Sequence, residues 1–223
     1  MKYKLTNETI VVDGHTLHRI ECVEAFADVY VGEKGGWIEK ESNLSQTGNA
    51  WVYCDAKVYE NAWVLDNARV LDNATISGNA RVLDNATISG NARVLDNASV
   101  FDNARISDNA NVSDFVSVYG CAQIYGNANV SDLVSVYGCA QIYGNAEVYT
   151  NADYIVFKNN WSSGRYFTWT RSNDMWKVGC FYGTGEELIK KAYQDSENSG
   201  KHYEAYVKFV EQLKELDNGK QND

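Results

Sequence analysis

The chain has 223 residues, with 30 acidic and 20 basic side chains and a formal net charge of −10. Its length suits one ordinary domain or two small ones, and the acidic balance excludes general nucleic-acid binding by charge, which needs clustered Lys and Arg. Proline is absent, against an average usage of about 5%, as expected where nearly every backbone N–H is engaged in a sheet ladder.

The first residues, MKYKLTNETI, contain no apolar core of the signal-peptide type, and no apolar run in the chain approaches membrane-spanning length. A cytoplasmic protein with no membrane contact is expected. The next stretch, ETIVVDGHTLHRIECV, predicts a β-hairpin, because Asp13-Gly14 is a two-residue turn signal between alternating segments. It forms an N-terminal hairpin cap over residues 1–37. In GGWIEKESNLSQTGNAW, Ile38 and Leu44 are six apart but Leu44 and Val52 are eight apart, which predicts an irregular first coil.

From Val52 to Val148 every sixth residue is Val or Ile, without a slip. Two positions earlier stands a small residue, from Ala50 to Ala146, with Val116 and Val134 as the larger exceptions. Between hexads comes a polar pair, most often Asp-Asn or Gly-Asn. A period of six is not the 3.6 of a helix. Residues two apart point to one face of a strand, and the Asx/Gly pair supplies a corner. The chain must therefore coil over residues 38–153. VSDFVSVYGCAQIYGNAN, starting at Val112, is copied almost letter for letter from Val130. If three hexads make one lap, such a copy sets Phe115 beneath Leu133, Tyr119 beneath Tyr137 and Cys121 beneath Cys139. A second duplication, VLDNATISGNAR at Val70 and again at Val82, has a period of twelve, so the number of sides stays open on repeats alone.

Residues 154–223 follow a different grammar and predict a small α+β domain. DYIVF, RYFTWT and MWKVGCF read as three strands, with a turn at Ser172-Asn173-Asp174. Thr184 with Glu187 forms a capping-box pattern before a first helix. A second helix follows in GKHYEAYVKFVEQLKEL, with Tyr206, Phe209, Val210 and Leu213 on one stripe. The tail DNGKQND reads as disordered.

The hexads resemble those of left-handed parallel β-helix proteins of the hexapeptide-repeat type, over about Trp51 to Ala152. That resemblance implies a mainly β fold, triangular coils, parallel strands and a left-handed path, an exception to the right-handed crossover rule. One departure stands out: the residue after each aliphatic position is often Gly in enzymes of the family, and here it is Leu, Ser, Tyr or Phe. The wider layout, with its LHRIE opening, GGWIEKESNLS entry and GCFYGT segment, resembles uncharacterised phage and prophage proteins of Gram-positive bacteria.

Many enzymes of the hexapeptide family are acyltransferases with a His general base, and others hold a metal with three His. The three histidines here, His15, His18 and His202, all lie outside the coils and read as exposed or capping residues. GxSxG and phosphate-loop motifs are absent, and the five scattered cysteines show no CxxC spacing. The expectation is thus a protein that is not an enzyme, with no cofactor, no metal site and free thiols at Cys121 and Cys139. Rows of stacked aspartates (Asp66, Asp84, Asp102 and Asp96, Asp114, Asp132) raise the options of a cation row or a DNA-like surface, both set against plain Asx corners.

A candidate binding stripe follows from sorting the residue after each aliphatic position by face. One face carries Leu65, Leu83, Phe101, Tyr119 and Tyr137 without a polar break, and Trp63 flanks its lower end. A stripe of this extent calls for a cover: the C-terminal helices, sister copies in a homo-oligomer (a trimer, by the resemblance), or a host protein partner. A second candidate surface is Trp161, Arg165, Trp169, Arg171 and Trp176, residue types common at interfaces and equally suited to a small core. The leading expectation is a non-catalytic, phage-type binding protein that inhibits a host defence factor. Its alternatives are an acyltransferase-like hexapeptide-repeat enzyme and a structural, polymer-forming module.

Overall fold

The structure, a computed structural model, describes residues 1–219. The chain forms two compact units, one over Met1–Asp153 and one from Tyr154 onward.

Strands β1 (Tyr3–Val12) and β2 (His15–Cys22) form the hairpin, with Val12 opposite His15. Asp13 and Gly14 have φ of 50° and 87°, the left-handed pair that a two-residue turn of twisted strands requires. Strand β3 (Lys34–Ile38) pairs antiparallel with β2 and parallel with the first repeats, Ile38 lying beside Val58. The hairpin therefore prolongs one face of the coils as a single nine-stranded sheet. Gly36 is obligatory at this junction, because a Cβ there would stand 2.6 Å from the Ala56 carbonyl oxygen.

Seventeen two-residue strands follow, β4 (Trp51–Val52) through β20 (Glu147–Val148). Each pairs in parallel with the strand eighteen residues away: Val64 with Val82, Val82 with Val100, Val100 with Val118, Val118 with Val136. The hexads thus wind three to a lap into a β-solenoid of nearly six coils. The twelve-residue duplication keeps the hexad and merely moves it to another side. The repeated Val, Ile and Ala are at most 1% exposed, each branched side chain contributing about 1.5–3 kcal/mol by leaving water. In the first coil, Ile38 pairs with Val58 and Leu44 bridges to Val64. The two extra residues before Val52 are absorbed as a loop.

The corners explain the acidic rows. Asp66, Asp84 and Asp102 have φ of 58°, 54° and 59°, a left-handed conformation that Asp tolerates better than most residues. Each carboxylate accepts the backbone N–H of the corner above: Asp84 N–H to Asp66 at 3.3 Å, Asp102 N–H to Asp84 at 3.2 Å, Gly120 N–H to Asp102 at 2.9 Å. The following Asn residues form amide ladders, as in Asn49 to Asn67 at 2.8 Å and Asn67 to Asn85 at 3.3 Å. Higher in that column stand Cys121 and Cys139. Their Cα atoms are 4.8 Å apart and their sulfurs are bonded, which corrects the expectation of free thiols. The ladder spacing itself brings the pair within disulfide range.

All ladder N–H groups on the flat sides point the same way along the solenoid, as Trp51 N–H to Ala68 O illustrates. The lower end therefore presents carbonyls and is met by donors. Lys2 Nζ lies 2.8 Å from Ala50 O, 3.4 Å from Gly48 O and 3.5 Å from Thr47 O. The Tyr3 hydroxyl reaches Leu44 O at 2.7 Å and Glu41 O at 2.9 Å. Burial pushes the Lys2 ammonium down to about 8. Acceptors meet N–H groups at the upper end: Asp153 takes Tyr149 and Thr150 N–H at 2.9 and 2.7 Å, and Asn151 takes Ser135 N–H at 2.9 Å.

The second unit is an antiparallel meander, β21 (Tyr154–Lys158), β22 (Tyr166–Thr170), β23 (Met175–Val178) and β24 (Phe181–Gly183), with two helices. It holds four strands where three are expected, because Gly179, at φ 54°, turns MWKVGCF back on itself. Helix α1 (Gly185–Asp195) starts at a complete capping box of Thr184 and Glu187. Helix α2 (Glu197–Gly219) begins earlier than its pattern suggests. It buries Tyr203, Val207 and Val210, while Phe209 and Leu213 of the expected stripe are 48% and 36% exposed. The inward face is set by Tyr203 packing on Phe167, ring centroids 4.4 Å apart. The helix also takes in the start of the expected disordered tail, where Asp217 pairs with Arg171 at 2.7 Å. Residues 220–223 lie outside the described residues.

Candidate active site on the flank of the first coils

His15 opens β2 directly after the hairpin turn, so β2 and β3 carry it alongside the coils. Glu39 follows Ile38 at the end of β3. Glu60 occupies the left-handed corner position that Asp, Gly or, at Cys54, Cys fills elsewhere, at φ 58°. The shared sheet brings the three together. His15 Nδ1 lies 3.0 Å from Glu39 Oε1, and His15 Nε2 lies 3.6 Å from Glu60 Oε1. Each carboxylate is anchored by its second oxygen: Glu39 Oε2 accepts the Glu60 N–H at 2.6 Å, and Glu60 Oε2 accepts the Gly78 N–H. The Tyr59 ring packs against the imidazole at 5.3 Å, and its hydroxyl donates to Asp13 at 2.8 Å.

The hydrogen bond to Glu39 raises the His15 pKa above the usual histidine value, outweighing partial desolvation, and the charges of Glu39, Glu60 and Asp13 add to it. Burial alone would push the Glu39 carboxyl up, but the bonds from His15 and the Glu60 N–H hold it below the usual carboxylate range. The two shifts agree in sign, as a bonded ion pair requires. The imidazole is about one-third exposed and borders an open cavity of about 420 Å³ lined by His15, Glu39, Lys40, Glu60, Asn61, Gly78 and Asn79. A carboxylate on Nδ1 fixes the tautomer with Nε2 free for a proton, and Nε2 lies 3.6 Å from Oε1 of Glu60, a residue that lines the same cavity. The arrangement can act as a general base.

His15 is thus partly exposed in the hairpin, as expected, but it also bonds Glu39 and stands beside Glu60. His18, by contrast, places Nδ1 3.2 Å from the Thr6 carbonyl, a structural contact. Glu39 and Glu60 went unread. Their signal was present: Glu60 is the one Glu at a corner position that otherwise carries Asp, Gly or Cys.

The other candidate residues are distributed as follows. Phe101, Tyr119 and Tyr137 form a column of stacked rings, with centroids 5.1 and 5.6 Å apart. Leu65, Leu83, Phe101 and Tyr119 are half-buried, while Trp63 and Tyr137 are 46% and 55% exposed. Arg81 lies over the Trp63 ring at 5.6 Å. In the second unit Trp169 and Trp176 are 2% exposed and belong to its core, whereas Trp161 is 75% exposed. Arg165 and Arg171 are both exposed. Among the described residues no group of three or more His, Cys, Asp or Glu is placed to hold a metal ion, and no helix is long and apolar enough to cross a membrane.

No family model matches the chain. A stretch of 37 residues, 17% of the chain, is 46% identical to the uncharacterized acetyltransferase YdcK of Escherichia coli (strain K12). The match spans 11% of that relative's length. This likeness overturns the expectation that the chain is not an enzyme. That expectation rested on coils without histidine, but the continuous sheet from hairpin to coils delivers His15 to their flank. The likeness gives no support to a phage origin or to a role against host defence.

Proposed function

We propose that the chain is an acyltransferase-like protein of the hexapeptide-repeat type, with His15 as general base and Glu39 as the residue that positions it. The observation that carries this reading is the Glu39-bound imidazole bordering an open cavity beside the first coils. The local likeness to an acetyltransferase supports it. In the reaction His15 Nε2 takes a proton from the acceptor, the acceptor attacks the acyl carbonyl, and the donor's thiolate leaves. Glu39 stabilises the imidazolium as it forms. Calorimetry with acetyl-CoA, followed by mass detection of acetylated acceptor, tests the reading. A His15→Asn protein that still binds acetyl-CoA should turn over roughly 10²–10⁴-fold more slowly. Absence of acetyl-CoA binding, or full activity in His15→Asn, contradicts it.

Association of copies through the column of Leu65, Leu83, Phe101, Tyr119 and Tyr137 is a separate proposal, supported by the exposure of Tyr137 and Trp63 at its two ends. Sedimentation should show an oligomer that Tyr137→Ser weakens, whereas a wild-type monomer removes the proposal.

A further inference from the structure

We propose that the acceptor at this site is a primary amine, bound as its ammonium ion between His15 and Glu60; the inference rests on the acyl-transfer reading above. His15 Nε2 and Glu60 Oε1 stand 3.6 Å apart, slightly too far for a direct hydrogen bond. A single ammonium nitrogen placed beside both can donate one N–H to each at the ordinary ~2.7–3.2 Å. Glu60 is held for this task, because its other oxygen is fixed by the Gly78 N–H. A hydroxyl has only one proton. If it donates to Nε2, its oxygen lone pairs face the Glu60 carboxylate; if it donates to Glu60, Nε2 cannot deprotonate it. The second carboxylate thus favours an amine over an alcohol by charge and by donor count.

The other groups at the cavity agree with a polar cationic acceptor. Asn61 and Asn79 present side-chain amides joined at 3.3 Å. The Lys40 ammonium is engaged with Asn61 Oδ1 at 3.1 Å, and no ion pair joins it to Glu60 among the described residues. In the transfer the ammonium gives one proton to His15 Nε2, and the neutral amine attacks the thioester carbonyl carbon. The C–S bond breaks as the C–N bond forms. The amine's second proton goes to the departing thiolate, and His15 returns its proton to solvent.

The test uses acetyl-CoA with two pairs of acceptors that differ by one group: 2-amino-1,3-propanediol against glycerol, and glucosamine against glucose. Acetylated product is read by mass, and acetyl-CoA binding by calorimetry. The amine of at least one pair should exceed its hydroxyl partner in kcat/KM by about 100-fold or more, as charge-paired recognition permits. Glu60→Gln keeps an oxygen for the Gly78 N–H but loses the charge. It should raise KM for the amine about tenfold or more while leaving acetyl-CoA affinity unchanged. Equal use of the alcohols, an amine KM unchanged in Glu60→Gln, or no acetylated amine despite acetyl-CoA binding overturns the inference and leaves acyl transfer standing. No acetyl-CoA binding by the wild-type protein overturns the underlying reading as well.

Discussion

The regular coils and the irregular first coil with its hairpin share one sheet, yet they use their polar groups differently. In the regular coils the repeat satisfies itself. Asp84 takes the N–H of Asp102, and Asn67 donates to Asn85, so these side chains are engaged by the next lap. At the first coils the pattern breaks: Glu60 replaces a corner Asp, Glu39 follows Ile38, and His15 arrives from outside the repeat. There an imidazole is bonded to one carboxylate and stands beside a second. Repetition makes a regular wall, and the candidate site lies where the repetition fails.

The largest test breaks the regular side. Val100 is fully buried in mid-solenoid, so Val100→Asp places an uncompensated charge in the dry column. It should cost several kcal/mol and abolish cooperative folding, as read by thermal melting. Ser99→Asp, one residue away on an outward position, should stay within about 0.5 kcal/mol. Next in size is the Cys121–Cys139 bond, which closes an eighteen-residue loop. Replacing both by Ser should lower stability by about 3 kcal/mol in denaturant titration.

A smaller effect is expected at the carbonyl end. Lys2→Met should cost about 1–3 kcal/mol by leaving buried acceptors unmet. The Lys2 ammonium is pushed down to about 8 when folded, below its unfolded value of about 10.4. Between those values the unfolded chain binds more protons, so stability should rise with pH through this window. Cysteines and tyrosines also titrate between about pH 8 and 10, so the rise is read as the difference between wild-type and Lys2→Met melts across this window, which should grow with pH. The smallest change in stability sharpens the comparison most. Glu60→Asp restores the corner of the repeat and keeps an acceptor for Gly78 N–H. It should move stability by no more than about 0.5 kcal/mol while amine turnover falls, because the shorter side chain no longer reaches beside Nε2.

Much of this architecture was legible in the residues. The unbroken Val/Ile spacing specified the coil, and the eighteen-residue copy agreed with three hexads per lap. Asp13-Gly14 marked the hairpin, and Thr184 with Glu187 marked the helix start. Local turn and cap chemistry carries such information within a few residues. The pairing of β2 with β3 and of β3 with the coils does not lie in any short window, and it alone brings His15 to Glu39 and Glu60. For the same reason Gly179 was not read as a turn, since a lone glycine in a strand pattern is ambiguous. The inward face of α2 was misplaced because Phe209 and Leu213 are apolar enough to be core, while the smaller Val207 fits against Gly185.

The central claim is that His15, tuned by Glu39, takes the acceptor's proton. Its most direct test is the pH dependence of acetyl transfer, set beside an NMR titration of the His15 imidazole in wild type and Glu39→Gln. The carboxylates facing the ring are Glu39, Glu60 and Asp13, with Lys40 and the Tyr59 hydroxyl nearby. Activity should rise with pH at a midpoint above the ordinary histidine value of about 6.5. The NMR midpoint should coincide with it, and both should fall together in Glu39→Gln. A rate profile that ignores Glu39→Gln, or a His15 ring that titrates at or below the ordinary value, would contradict the account.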